Sequence, residues 1–384
     1  MKIAVLGAGN GGFGCAADLT LRGHQVNLYA RPESDHKLDG IREKGYLELY
    51  FMDEPEKLHK ATLNLVTSDI AQAVEGADLI LNPVPAYGYE QFARLAAPYL
   101  KKGQVIITLG KGGGALIWAK VLLDSQRQRE TSNEEDVYFG EINTLTYGAS
   151  KMGPALVRIE SYVYEVITGA FPGKHLKKVV DTLKAAYPMA NIRPAKNVLE
   201  CILVDYNAIT HTGPMVCNAG RIDSGFHKEE FHLFDKWASP PAVVRVTEAV
   251  DRERMALGEA LGIKAYTLEE EINHVKWNPK GKEGAGVLPL FEAIHTEILE
   301  VCEGPYSLKA RQLTEDVPWG LVTYSSLGKM LGVPTPVSDA LTVMTCTLNA
   351  TDYWKEGRTV EMLGLDPHWS LEQLQSYLYE GTVA

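Results

Sequence analysis

An apolar strand that runs directly into a glycine-rich turn at the start of the chain constrains the fold more than any other feature. Residues 2–6 read Lys-Ile-Ala-Val-Leu, and a helical pattern follows the turn. In such a Gly-x-Gly-x-x-Gly turn the first glycine permits a tight bend, the second lets backbone approach a pyrophosphate, and the third lets the helix pack on the sheet. A glycine turn that binds no ligand is the alternative. The sequence predicts a dinucleotide site with the cofactor-binding residues Gly7, Gly9, Asn10, Gly11 and Gly12.

The end of the second predicted strand, residues 25–29, indicates which dinucleotide binds. An acidic side chain about twenty residues past the glycines would bind the ribose 2′-hydroxyl of NAD, whereas an arginine accommodates the 2′-phosphate of NADP. Ala30 and Arg31 stand at this point and no acid does. The sequence therefore favours NADP(H) over NAD(H) as cofactor. Arg31 as a solvated loop residue, or stacked on the adenine of either cofactor, remains an alternative.

Length, charge and cysteine content exclude several classes of protein. The 384 residues suffice for two domains, which suits an enzyme with a cleft. A net charge of −11 without a basic block argues against nucleic-acid binding, and no stretch approaches the roughly eighteen apolar residues of a membrane span. Five scattered cysteines without a Cys-x-x-Cys pair indicate a reduced compartment and no structural zinc. We expect a cytoplasmic enzyme without a metal, and a homodimer as one possible assembly.

The pattern of elements changes near residue 190. Before it, short apolar strands alternate with helical segments, which is typical of a parallel sheet wrapped by helices. The predicted strands lie at residues 78–82, 104–108, 137–141, 156–159 and 165–168, and a helix is predicted at 174–187. Beyond it, apolar residues recur at three- and four-residue steps, most clearly at 242–262. We predict an α/β fold with a Rossmann-type doubly wound parallel sheet over 1–192 and a mostly α-helical domain over 193–384.

Three turns follow strands of the predicted sheet. They lie at residues 82–85, at residues 110–114 and after Glu141. Because ligands of open α/β sheets bind outside the carboxyl ends of the strands, we expect Val84 and Pro85 to contact the cofactor, and Glu141 and Thr144 to contact the substrate. The glycines of 110–114 could bring several backbone donors to one anion. Ordinary loop turns without a ligand are the alternative at each place.

Asn207 and His211 are four residues apart, so a helix would place both on one face. Gly213 and Pro214 are expected to break that helix just beyond them. A histidine at a cleft is a reasonable general acid or base because its ordinary pKa lies near neutrality. The alternative is a histidine that only stabilises a helix end.

The second dense polar cluster is a predicted loop over residues 311–318 before a helix that begins near Leu321. Arg311 could clamp a substrate carboxylate in a bidentate manner, and a buried Asp316 could orient a histidine. A surface arginine beside a helix-capping acid is the alternative. His227 and His232, five residues apart, would point away from each other on a helix, so we predict no shared metal there.

Several segments, in order along nearly the whole chain, resemble the octopine/nopaline (opine) dehydrogenase family. They are residues 7–12, 110–114, 141–144, 207–211 continuing to 218–220, 248–254, 311–320 and 331–336. Many dehydrogenases share the glycine turn. The histidine segment joined to Arg-x-x-x-Glu-Asp-Val-Pro is distinctive for this family.

The resemblance implies the reductive condensation of an amino acid with an α-keto acid, through an imine, to an N-carboxyalkyl amino acid. It also implies that His211 and Asp316 form an acid/base pair and that Arg311 holds a substrate carboxylate. The sequence departs from the family pattern at Lys111, where relatives commonly carry arginine, and at Thr212, where a proline often follows the histidine. These departures leave the choice of amino acid and keto acid open.

Two other functions are compatible with the first domain. One is a reductase of a keto or phosphorylated substrate, of the glycerol-3-phosphate or ketopantoate type, which uses a central lysine. We find no lysine in an equivalent setting. The other is a dinucleotide sensor without catalysis, against which the presence of His211, Asp316 and Arg311 together argues.

Overall fold

The structure is a computed structural model that describes residues 1–110, 112–128, 137–163, 165–225, 231–275, 288–295 and 304–383. The chain divides into two compact units, Met1–Cys201 with Gln375–Ala384, and Ile202–Leu374. The predicted division at residues 192 and 193 lies inside the first unit. That residues 1–192 and 193–384 act as domains stays a prediction.

The first unit carries the β-structure. Its strands are β1 (Lys2–Leu6), β2 (Gln25–Tyr29), β3 (Leu47–Phe51), β4 (His59–Ala61), β5 (Leu65–Thr67), β6 (Leu79–Asn82), β7 (Val105–Leu109), β8 (Tyr138–Ile142), β9 (Tyr147–Gly153), β10 (Leu156–Tyr162), β11 (Glu165–Phe171) and β12 (Asn191–Pro194). Its helices, counted to residue 203, are α1 (Asn10–Leu21), α2 (Asp39–Lys44), α3 (Ile70–Val74), α4 (Tyr89–Ala96), α5 (Gly114–Gln128), α6 (Leu176–Ala186) and α7 (Val198–Leu203).

Eight strands form one sheet in the order β12-β11-β8-β7-β6-β1-β2-β5. From β5 to β8 every pair of neighbours is parallel, and β1, β6 and β7 are almost entirely buried apolar runs, as expected for strands covered on both faces. The predicted Rossmann-type sheet is confirmed. Only its far edge differs, because β11 is antiparallel to β8 and pairs in parallel with β12.

A second sheet of four strands, in the order β4-β3-β10-β9, was not predicted. The predicted strand at 156–159 lies here, as part of β10, and not in the main sheet. This sheet packs against α1, where a Cβ added to Gly14 would lie 2.9 Å from the Ala149 Cβ. Helix α1 is consequently buried on all sides from Gly11 to Leu19.

The described part of the second unit is helical, as predicted, and its only β-pairing is an isolated bridge between His232 and Gly304. The helices that follow α7 are α8 (Asn207–Cys217), α9 (Ala219–Ser224), α10 (Pro241–Ala260), α11 (Leu268–Val275), α12 (Leu290–Ile294), α13 (Arg311–Thr314), α14 (Val322–Leu331), α15 (Pro336–Asn349), α16 (Tyr353–Glu356) and α17 (Leu371–Glu380), the last of which begins in the second unit and ends in the first. Helix α10 corresponds to the pattern at 242–262, and Gly262, with φ +64°, follows its end.

Candidate active site

The glycines after β1 differ in the space around them. A Cβ on Gly12 would lie 1.7 Å from the Gly7 carbonyl oxygen, so only glycine lets α1 approach this turn so closely. Gly7 itself has a φ of +121°, which L side chains rarely adopt. Around Gly9, in contrast, nothing lies within 4 Å of the Cβ position. Gly12 therefore allows α1 to pack against the turn, whereas the absence of a side chain at Gly9 leaves an open space next to the start of the helix.

The first turn of α1 has free donors beside this open space. The Phe13 N–H makes the first helical hydrogen bond, to the Gly9 carbonyl at 2.9 Å. The N–H groups of Asn10, Gly11 and Gly12 precede it and have no partner within the helix. Such donors, with the positive end of the helix dipole, fit a pyrophosphate. These residues would hold the dinucleotide.

Val84 and Pro85 follow β6, the neighbour of β1 at the point where the strand order reverses. Ligands of open α/β sheets bind at such a point. A Cβ on Gly7 would lie 2.7 Å from Val84 Cγ1, which shows that the two turns meet, and Pro85 is exposed. Their contact with a cofactor stays a prediction.

Arg31 lies two residues beyond β2 and is held by its neighbours. Its guanidinium carbon is 5.9 Å from the centre of the Phe92 ring, and the side chain forms an ion pair with Glu33 at 2.9 Å. Its Nη1 also donates a hydrogen bond to the Gln91 side chain. Arg31 is thus a positively charged side chain, held by its neighbours, at the strand end where the 2′-phosphate of NADP would bind.

Glu141 is fully buried, and its carboxylate is already hydrogen-bonded within the protein. Its carboxylate accepts hydrogen bonds from Gly113 N–H at 2.9 Å and Ala115 N–H at 3.2 Å, at the start of α5. The anion bound by the backbone N–H groups at the start of α5 is therefore the Glu141 carboxylate. This favours a structural role for Glu141. Thr144 is half-buried in the turn between β8 and β9. Contact of either residue with a substrate stays a prediction, and Lys111 lies outside the described residues.

In the second unit His211 of α8 contacts Asp316. Nδ1 of the imidazole lies 2.6 Å from Oδ2 of the carboxylate, and their side chains are 15% and 4% exposed. Because an ionised carboxylate only accepts hydrogen bonds, Nδ1 carries the proton of this bond. Nε2 makes no hydrogen bond to the described residues. The geometry leaves Nε2 as the atom that can exchange a proton with a ligand.

The predicted break of the helix after His211 is wrong. Helix α8 continues through Pro214 to Cys217, and the residues from Thr212 to Val216 are buried. A Cβ on Gly213 would lie 3.2 Å from Val246 Cγ1 of α10, so Gly213 is a close-packing position. Burial against α10 offsets the hydrogen bond that proline cannot make. His211 therefore lies inside a helix, and stabilisation of a helix end does not explain it.

The predicted loop over residues 311–318 is also wrong, because α13 and a π-helical turn, Val317–Leu321, occupy this stretch. Pro318 begins a helical turn, where its missing N–H is not needed. A Cβ on Gly320 would lie 2.5 Å from the Ala208 Cβ, so glycine lets this turn approach α8. Asp316, directly before the turn, thereby reaches His211.

Asn207 lies on α8 with His211, and Arg311 lies on α13, which packs against α8 and ends two residues before Asp316. Arg311 is the exposed first residue of α13, and its guanidinium forms no ion pair with a described residue. Asn207 is half-buried at the start of α8, one turn before His211. Both are free to bind a polar ligand.

A buried ionic cluster next to the start of α8 was not predicted. The Arg254 guanidinium donates to Asp251 Oδ1 and to the Leu203 carbonyl at 3.1 Å, and it lies 5.1 Å from the centre of the Tyr206 ring. Tyr206 precedes α8, and its carbonyl accepts the Thr210 N–H at 2.9 Å. The family segment 248–254 was the only signal for this cluster. Its role here is to fix the loop that starts the histidine helix.

Tyr324 is fully buried and feels the charge of Arg254 in this cluster. Burial, reinforced by the charge of Asp205 and opposed by Arg254, raises the pKa of the Tyr324 hydroxyl well above its usual range. The hydroxyl remains protonated and donates to the Asp205 carbonyl at 3.2 Å. This hydrogen bond fixes the backbone at Asp205, two residues before α8 begins.

The described residues contain no group of three His, Cys, Asp or Glu side chains that could hold a metal. His232 lies in the isolated β-bridge rather than on a helix, so the helical geometry considered for it does not apply, and His227 lies outside the described residues. Among the helices that the structure describes, none has the length and apolar character needed to cross a bilayer.

Comparison with known proteins gives consistent matches over nearly the whole chain. Residues 194–349 match the family model of the NAD/NADP octopine/nopaline dehydrogenase alpha-helical domain, and residues 2–124 match that of the NAD-dependent glycerol-3-phosphate dehydrogenase N-terminus. An opine dehydrogenase of Arthrobacter sp. (strain 1C) is 32% identical over 366 residues, 94% of each chain.

Two solved structures have the same fold. Octopine dehydrogenase with NADH and L-arginine superposes with a TM-score of 0.78 at 18% identity and covers 99% of this chain and 98% of its own. Yersinopine dehydrogenase with NADP+ bound has a TM-score of 0.70 at 17% identity and covers 99% and 97%.

Proposed function

Because this chain belongs to the octopine/nopaline (opine) dehydrogenase family, we propose that His211, Asp316 and Arg311 carry the reductive condensation of an amino acid with an α-keto acid. The resemblance predicted from the sequence is confirmed, and with it the class of enzyme, an NAD(P)-dependent oxidoreductase acting on CH–NH groups. The full-length match to an opine dehydrogenase is the observation that carries this function.

The two alternative functions are not favoured. The glycerol-3-phosphate dehydrogenase model matches only residues 2–124, which belong to the unit that many dehydrogenases share. The helical half matches the octopine/nopaline model instead. A sensor without catalysis would not need the buried histidine–aspartate pair.

His211 is proposed to transfer protons during carbonyl activation and loss of water. Condensation of the amine with the keto acid expels one water and gives an imine, so a proton must reach the departing oxygen. Nε2 can deliver it because Asp316 holds Nδ1–H and stabilises the imidazolium that forms in between. When bound, the dihydronicotinamide supplies the hydride that reduces the imine.

Arg311 and Asn207 are proposed to orient the substrates. The exposed guanidinium of Arg311 has the donor pattern that matches a carboxylate in a bidentate manner, and both substrates carry a carboxylate. Asn207, on the face of α8 that carries His211, can donate to a substrate oxygen. Thr144 and Glu141 remain proposed substrate residues, with Glu141 acting through the glycine turn it holds.

NADP(H) is the proposed preferred cofactor. The proposal is supported by Arg31, held against Phe92 at the end of β2, and by the absence of an acid at that strand end. An R31Q variant is expected to weaken NADPH binding by about tenfold, since a charge-assisted hydrogen bond contributes about 1.5–3 kcal/mol, with little change for NADH.

A cytoplasmic location and a homodimer are also proposed. The described cysteines Cys15, Cys201, Cys217 and Cys346 are all free, which supports a reducing compartment. Cys302 lies outside the described residues. Sedimentation of the purified protein tests the dimer.

An initial-rate screen tests the function. NADPH and NADH oxidation is followed with pyruvate, glyoxylate and 2-oxoglutarate, each with and without a panel of amino acids. The proposal expects oxidation only when an amino acid and a keto acid are both present, with the N-carboxyalkyl product seen by mass spectrometry. Oxidation by the keto acid alone at the same rate would establish a simple keto-acid reductase instead.

A further inference from the structure

One lysine of the small sheet reaches the dinucleotide-binding helix. Lys151 lies on β9, and its backbone N–H donates to Asn10 Oδ1 at 3.0 Å. Its ammonium lies 3.9 Å from the centre of the Phe13 ring. Asn10 and Phe13 are three residues apart and share one face of the first turn of α1. The side chain of Lys151 therefore lies along this face, beside the open glycine turn.

The same ammonium also reaches the segment that follows β2. Its Nζ donates to the Lys37 carbonyl at 3.4 Å, and Lys37 lies in the 3₁₀ turn Pro32–Leu38 directly after Arg31. In dinucleotide-binding folds the ribose lies between the glycine turn and the end of the second strand. Lys151 connects these two segments, so its charge lies at the border of the ribose site.

Lys37 and Lys151 form a lysine pair whose positive charges are not neutralised by carboxylates of the described residues. Neither Lys37 nor Lys151 forms an ion pair with a described carboxylate, whereas Lys44 and Lys57 on nearby segments pair with Glu48 and Glu54. Partial burial and the charge of Lys37 lower the pKa of Lys151. Two neighbouring ammonium groups repel each other unless an anion binds both. A phosphate monoester, with a charge of about −1.5 to −2 at neutral pH, has the complementary charge.

We propose that Lys151 and Lys37 bind the 2′-phosphate of NADP(H), so that a strand outside the Rossmann sheet takes part in cofactor selection. The inference rests on the proposed cofactor preference and extends it beyond Arg31. The small sheet thereby acquires a function besides covering α1. Its strand β9 is fixed to Asn10 through the Lys151 backbone, and the Phe13 ring and the Lys37 carbonyl hold the ammonium in place before the cofactor arrives.

Equilibrium binding without substrates tests the inference. Dissociation constants of NADPH and NADH are measured by nicotinamide fluorescence for wild type, K151Q, K37Q, K151R and R31Q. K151Q is expected to weaken NADPH binding by about tenfold or more and NADH by less than about twofold, because only the former carries the phosphate. K37Q is expected to act in the same direction, and K151R to retain most of the NADPH affinity.

K44Q is the matched control, because Lys44 is a lysine of the same unit that is neutralised by Glu48. It is expected to bind both cofactors like wild type. An unchanged NADH affinity shows that a variant is folded, and K37Q, an exposed residue, supplies the test if K151Q does not fold.

The outcomes separate this inference from the proposed function. If K151Q and K37Q weaken the binding of NADPH and of NADH equally, or weaken the binding of neither cofactor, the assignment to the 2′-phosphate is overturned. If wild type prefers NADPH and only R31Q loses the preference, the lysine pair is refuted and the cofactor proposal stands. If wild type shows no preference for NADPH, both are refuted, while the condensation reaction is judged by the substrate screen.

Discussion

The glycine turn of the first unit and the His211–Asp316 pair of the second are built in opposite ways. The turn is complete within residues 7–12, so its geometry follows from local sequence. The pair joins residues 105 positions apart and exists only because α8 and the turn Val317–Leu321 pack closely. Both regions depend on a glycine that removes a Cβ at a close approach, Gly12 in one and Gly320 in the other. A local motif can therefore be predicted from the sequence alone. A pair formed by two distant residues can be predicted only if the packing of the helices that carry them is also known.

Substitution of His211 should have the largest effect on turnover and should leave cofactor binding by the glycine turn unchanged. H211A is expected to lower turnover by about two to four orders of magnitude, because proton transfer by a positioned side chain contributes that much. The NADPH dissociation constant should change little. Steady-state kinetics and fluorescence binding measure the two quantities.

The control is H368A, which replaces an exposed histidine of the same unit. It should leave turnover unchanged. Normal turnover in H211A would remove the assignment of the proton donor.

Alanine substitutions in the glycine turn should affect the first region alone, and in two different ways. G12A would place a Cβ 1.7 Å from the Gly7 carbonyl, so α1 must shift. We expect a loss of stability of about 3 kcal/mol or more and a loss of NADPH affinity. G9A, with open space and a φ of −93°, should fold normally and weaken only cofactor binding. Thermal unfolding and NADPH titration distinguish the two, and equal stability of both variants would contradict the packing argument.

The corresponding substitution in the second region is G320A. Its Cβ would meet the Ala208 Cβ at 2.5 Å and push the turn with Asp316 away from α8. We expect a destabilisation of about 1–3 kcal/mol, as for other overpacked sites, and about tenfold lower turnover. NADPH affinity should be unchanged.

The matched double variant A208G/G320A restores the space and should recover turnover. Glycine in α8 still costs about 1 kcal/mol of stability. No recovery of turnover would show that Gly320 has another role.

The smallest effect concerns the segment that carries Arg31 and Lys37. The hydrogen bonds from Arg42, at 2.7 and 2.8 Å, and from Ser68 lower the pKa of Asp35 well below its usual range. A depressed folded-state pKa gives stability that is fully present above the ordinary pKa near 4 and is lost as the pH falls from there through the lowered folded-state pKa. Since the pair is more than a third exposed, we expect less than about 1 kcal/mol.

D35N should therefore lower the melting temperature slightly at pH 7, and this loss should shrink gradually as the pH is lowered below about 4. Thermal unfolding of both proteins over a series of pH values between about 7 and 2 measures the trend. A loss of the same size at every pH would show that charge is not the cause.

Sequence reasoning succeeded where the signal was local or periodic. The Rossmann strands and helix α10 followed from apolar runs and spacing. It failed at Gly213–Pro214 and at Pro318, because breaker residues were weighed without the burial and close packing that accommodate them. The second sheet was missed since β4 has only three residues and β3 pairs with the distant strand β10. A signal was present in α1, whose residues from Gly11 to Leu19 are small or apolar except for Asp18 and so leave no polar face for solvent.

The central claim is that His211 and Asp316 act as one unit, and a double-mutant cycle on kcat/KM tests it most directly. H211A, D316A and the double variant are compared with wild type, with NADPH binding as a check of folding. If the residues act together, the double variant should be no more than about threefold slower than H211A, because the carboxylate has no function without the imidazole. Losses that multiply would show that the two side chains act independently, which would contradict the account.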